Sequence, residues 1–126
     1  MSAADAAVPP PRGVVVEVDD DRVSSGLVVV LGRAALAART GTITVCAVRP
    51  DGAGLPSEVP LPRLPGVPAG AVAACDEPLA LPVAALGERV GSLGPATLER
   101  IDGALRYALD VPGPIPGRLG TLRSVG

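Results

Sequence analysis

Leu86-Gly87-Glu88-Arg89-Val90-Gly91-Ser92-Leu93-Gly94-Pro95-Ala96-Thr97-Leu98-Glu99-Arg100-Ile101-Asp102-Gly103-Ala104-Leu105 is the stretch that orders the rest of the chain. Its first part, Val90 to Leu93, reads as a very short strand. Gly94 then takes a cap position and Pro95 the first helical turn, where a missing amide hydrogen costs nothing. Beyond it the apolar residues fall at Leu98, Ile101, Leu105 and Leu109, with Ala104 and Ala108 widening the stripe, which is the spacing of a helix with one core face. Asp102 and Arg106 lie four apart on the other side and predict an ion pair there. Gly103 costs about 1 kcal/mol relative to Ala in mid-helix, so the helix depends on packing against a sheet.

Upstream, the chain supplies that sheet. Val14, Val16 and Val18 alternate with Val15, Glu17 and Asp19, a period of two that predicts a strand with one buried face. Asp19 to Gly26 is a polar connection, and Leu27-Val28-Val29-Val30-Leu31 is a β-branched run short enough to be a central, doubly covered strand. Arg33 to Arg39 is Ala-rich and predicts one or two helical turns. Thr42 to Val48 is a third strand, stopped by Arg49-Pro50-Asp51-Gly52. Glu58-Val59-Pro60-Leu61-Pro62 alternates but carries two prolines, which confines it to an edge or a bulge. Ala71 to Cys75 reads as a fifth strand. The expected fold class is mainly β, a small barrel or half-barrel with a short helical insertion and a C-terminal α-helix.

Met1 to Pro11 has three consecutive prolines and no periodicity, and reads as a disordered leader. Residues 112–126 open on a Pro/Gly-rich run that cannot continue a helix, and read as a flexible tail. One domain, 12–111, is expected between them. The 126 residues include 20 Ala, 18 Val, 16 Gly, 15 Pro and 11 Arg, with no Lys, His, Trp or Phe and a formal charge of −2. Without His there is no His general base, no Ser/His/Asp or Cys/His pair and no His-bearing metal site. With Tyr107 as the one aromatic residue, no stacking platform for bases exists. No apolar run approaches the ~20 residues of a membrane span, and the chain starts with acid rather than a basic, apolar leader, so a soluble cytoplasmic protein is expected.

Cys46 and Cys75, 29 positions apart with no CxxC, read as small buried hydrophobes. Asp19-Asp20-Asp21 reads as a solvated turn rather than a metal site. Gly52-Ala53-Gly54 is followed by no Lys or Ser/Thr and opens no helix, so it is no phosphate loop. More informative are Arg22, Ser24 and Ser25 before the second strand and Arg49 with Asp51 after the third. Pairing of those strands would bring both ends to one rim, where two guanidiniums either grip a phosphate diester or remain solvated loop arginines.

In this order the segments resemble a known family. Arg12-Gly13-Val14-Val15-Val16 is similar to the opening "RGEVW"-like strand of the MazF/PemK toxins of toxin-antitoxin systems, and Leu27 to Leu31 to their "PVLVVS" strand. Thr42 to Val48 is similar to their third strand. Gly70-Ala71-Val72-Ala73-Ala74-Cys75-Asp76 resembles "GSVALCDQ", and the stretch from Leu86 to Leu105 resembles "LGRRVGRLSPATLARVDEAL". The resemblance spans about 12–111. It implies an SH3-like β-barrel of the MazF/PemK/CcdB kind, a homodimer that cleaves single-stranded mRNA at short sequences without metal or cofactor and is neutralised by a cognate antitoxin. In the family an Arg just before the second strand and a Thr or Ser just after the third act on the scissile phosphate, with the RNA's own 2′-hydroxyl as nucleophile.

Two positions depart from that pattern. The family's Arg-Pro before the second strand aligns with Ser25-Gly26, and its Thr after the third with Asp51. The resemblance therefore implies Ser25 and Asp51 at the catalytic positions, Arg22 reaching the vacated arginine's place, and Arg22 with Arg49 as phosphate-binding groups. The other outcome is a MazF-like fold that has lost cleavage and serves as a non-catalytic dimeric binding module. With so few aromatics, RNA would be held through its backbone and by arginine stacking.

Overall fold

The structure, a computed structural model, describes residues 8–109. The expected leader in its first seven residues and the whole expected tail lie outside the described residues. The order is β1 (Val14–Val18), β2 (Leu27–Val30), α1 (Ala34–Thr40), β3 (Thr42–Arg49), β4 (Glu58–Pro60), β5 (Val72–Pro82), a 3-10 turn (Val83–Ala85), β6 (Leu86–Ser92) and α2 (Pro95–Ala108). The six strands form one antiparallel sheet in the order β4-β5-β3-β2-β1-β6. No helix of the described residues is long and apolar enough to cross a membrane.

The sheet is covered on both faces, and the period of two sorts its side chains between two cores. Val14, Val16 and Val18 of β1, Val28 and Val30 of β2, and Ile43 and Val45 of β3 enter one cluster, closed by Ala37 of α1 and Val83. Val15, Leu27, Val29, Cys46 and Val48 enter the other, closed by Ile101 and Ala104 of α2. β1 thus has two buried faces where its alternation predicts one, because Val15 is fully buried under the second cluster and only Glu17 is exposed. The edge strands β4 and β6 are not paired with each other. Leu61, Leu64, Val67 and Val90 pack into the same cluster from the two sides, so apolar contact closes what hydrogen bonds leave open.

α2 starts on Gly94 and Pro95 as its sequence dictates. Two expectations for it are corrected. Leu109 caps the helix and is exposed, because the last turn runs past the sheet it would pack on. Asp102 pairs with Arg12, ninety positions away, instead of Arg106, because the chain entering β1 passes beside the helix. Gly13 explains that approach. Its φ is +90°, and a Cβ there would stand 3.0 Å from Leu98 of α2, so any side chain would be strained by its backbone and crowded by the helix.

β5 has 11 residues where the apolar pattern predicts five. Between the pairs Val48↔Ala73 and Cys46↔Pro78, four residues of β5 are set against one of β3. The surplus forms a corner at which β5 passes from one core, through Ala73 and Cys75, to the other, through Leu79 and Leu81. Asp76, Glu77 and Pro78 are exposed at that corner.

Candidate active site

The β1–β2 turn is built from its own acid. Asp20 accepts the Arg22 amide at 2.9 Å, and its two carboxylate oxygens each take a guanidinium nitrogen of Arg22 at 3.0 Å. The Arg22 side-chain hydrogen bonds, with help from its amide, hold the Asp20 carboxyl down at about 2. Asp20 is thereby committed to Arg22, and the Arg22 side chain remains 56% exposed. The turn ends on Gly26, whose φ of +74° lets its amide reach Val23 and its carbonyl accept the Val18 amide. Ser25 is half-buried, and its hydroxyl oxygen accepts the Leu27 amide at 3.3 Å, fixing the entry into β2.

β2 and β3 pair antiparallel, with Val28 opposite Ala47. Continued outward, that register sets the Ser25-Gly26 end of β2 beside the Arg49-Pro50 end of β3. The expected meeting of the two strand ends at one rim is therefore present, and Asp51 is exposed in the bend just beyond it.

Arg49 is held quite differently from Arg22. Its guanidinium pairs with Glu58 at 2.8 Å, Glu77 at 3.0 Å and Asp76 at 3.3 Å. Burial disfavours its charge, but Glu58 and Glu77 outweigh that and raise its pKa further above the usual guanidinium value. Glu58 is the organising acid: its side chain is only 3% exposed, and its carboxylate also accepts the amides of Ala53 at 2.7 Å and Leu55 at 3.2 Å. Burial pushes the Glu58 carboxyl up, yet those amides and Arg49 together bring it below its ordinary value. Glu58 therefore shapes the loop that carries Asp51. None of Glu58, Asp76 and Glu77 stands out in the sequence as a site residue. The one available signal is the polar interruption Asp76-Glu77-Pro78 in an otherwise apolar strand.

Cys46 and Cys75 are free, fully buried and in one core, as small hydrophobes. Hydrogen bonding with Cys75 and burial push the Cys46 thiol well above its usual value, so it is no nucleophile.

The sequence model of the PemK-like, MazF-like toxins of type II toxin-antitoxin systems matches residues 12–109. The chain belongs to this toxin family. No curated protein sequence matches it. Among solved structures it is similar to a mycobacterial endoribonuclease in complex with its cognate antitoxin, with 24% identity, a TM-score of 0.71 and coverage of 82% of this chain and 97% of that one. It is also similar to the Mycobacterium tuberculosis toxin MazF-mt6, with 25% identity, a TM-score of 0.67 and coverage of 79% and 97%. MazE-MazF from Deinococcus radiodurans gives 26% identity, a TM-score of 0.66 and coverage of 82% and 97%. The mainly β fold with its C-terminal helix is thus that of the MazF toxins. Ser25 and Asp51 both stand at the shared rim of this toxin.

Proposed function

We propose that this toxin is a metal-independent, sequence-specific endoribonuclease of single-stranded mRNA, acting in the cytoplasm as a homodimer and neutralised by a cognate antitoxin. The observation that carries the reading is the β2–β3 register, which gathers Ser25, Arg49 and Asp51 at one rim with the Arg22 turn beside it. The similar structures described as an endoribonuclease with its antitoxin and as MazE-MazF support it.

The chemistry needs little machinery. The substrate's 2′-oxygen attacks the adjacent phosphorus, the new P–O2′ bond forms as the P–O5′ bond breaks, and a 2′,3′-cyclic phosphate results. Arg22, more than half exposed, binds the non-bridging oxygens and offsets the charge that develops on them. The Asp51 carboxylate takes the proton of the 2′-hydroxyl, a role that replaces the family's Thr by a base, and water protonates the departing 5′-oxygen. The Ser25 hydroxyl donates to a phosphate oxygen. Arg49 is a second phosphate-binding group whose availability depends on its acids.

The test is incubation of the purified protein with diverse single-stranded RNA in EDTA. Cleavage with a cyclic phosphate end is expected, and Arg22→Ala should slow it by about 100-fold, the scale of losing one charge-stabilising donor. RNA left intact by protein that melts cooperatively would contradict the reading and favour the non-catalytic module.

A further inference from the structure

Three carboxylates on one guanidinium is a costly use of charge at a surface that must attract phosphate. The acids around Arg49 are not equivalent. Glu58 is nearly buried and committed to the amides of Ala53 and Leu55. Asp76 and Glu77 are 34% and 57% exposed and stand on the corner of β5 between its two stretches of pairing with β3. Glu58 alone already neutralises Arg49, so Asp76 and Glu77 leave the cluster with excess negative charge.

We infer that Asp76 and Glu77 mask Arg49, occupying the guanidinium edge that an RNA phosphate would take and so setting how tightly the rim grips single-stranded RNA. The inference rests on the reading of this rim as the RNA site. Exposed ion pairs are weakly held, so the mask can yield. Exchanging a carboxylate for a phosphate brings Arg49 little gain, however, and the displaced acids stay close enough to repel the incoming strand. In the unaltered protein Arg49 therefore adds little to RNA affinity. Asp76 and Glu77 determine that affinity without touching the reacting atoms.

The experiment measures binding of a fluorescent RNA carrying 2′-deoxy substitutions, which removes the nucleophile, across a salt series. Asp76→Asn/Glu77→Gln should bind about tenfold tighter at low salt, and its plot of log Kobs against log salt should steepen by about 0.7, the signature of one more phosphate contact on a single strand. Adding Arg49→Gln with Glu58→Gln, which removes the cation without stranding a buried carboxylate, should abolish both gains. Equal affinity and slope in the unaltered protein and Asp76→Asn/Glu77→Gln would overturn the mask. So would a gain that survives loss of Arg49, because it would then reflect general charge. Cleavage by the unaltered protein with no gain in the variant removes the mask and leaves the proposed function standing. Binding by the variant alone supports the mask and removes the activity of the unaltered protein, and absence of binding in both overturns the two readings together.

Discussion

The β1–β2 turn and the β3–β5 corner each hold one arginine, and each answers it with acid. In the turn, Arg22 meets a single carboxylate two residues away and stays largely in solvent. At the corner, Arg49 meets carboxylates nine, 27 and 28 positions away, one of them almost wholly buried. The first arrangement forms as the turn forms and leaves the paired cation largely in solvent. The second exists only once β3, β4 and β5 have come together, so it ties the fold and uses up the charge. The two guanidinium groups therefore differ in the sequence distance of their partners, and the proposed function predicts that the local pair is the one available to substrate.

Removing each cation should separate them most sharply. Arg49→Ala leaves the Glu58 side chain without its cation and should clearly lower the urea unfolding midpoint. Arg22→Ala breaks an exposed local pair and should leave the unfolding midpoint within error. Equal losses in the two variants would erase the distinction.

Acid should weaken both regions by a smaller amount. Asp20 and Glu58 both have folded-state pKa values below their ordinary ones, so the unfolded chain binds more protons and stability falls as pH drops. For Asp20 the contribution is complete above the ordinary aspartate value of about 3.9, and it disappears as pH approaches the folded value of about 2. The Glu58 contribution likewise fades below the ordinary glutamate range. Urea midpoints between pH 7 and pH 2.5 should fall less steeply in both Asp20→Asn and Glu58→Gln than in the unaltered protein. A variant whose midpoint falls as steeply as that of the unaltered protein would remove its carboxylate from the acid linkage.

The sequence made one of these regions legible and hid the other. Asp20 and Arg22 are two positions apart in a polar connection, and the strands that flank them announce themselves by alternation and by an unbroken β-branched run. α2 was equally plain from Gly94, Pro95 and the spacing of Leu98, Ile101 and Leu105. The corner was not, because Asp76-Glu77-Pro78 breaks the apolar pattern where β5 changes cores, so the strand reads as ending at Cys75. Arg49 could be singled out by its place after β3, but its partners are set by topology, as is the pairing of Arg12 with Asp102 in place of Arg106. Local propensity shows where a charge begins; only the assembled sheet shows which charge answers it.

Arginine-selective NMR of the guanidinium signals, during titration with the 2′-deoxy-substituted RNA, tests that division directly. The Arg22 signal should move first and saturate while that of Arg49 stays near its free position. An Arg49 signal that moves in step with Arg22 in the unaltered protein would contradict the account, since both cations would then be gripping phosphate.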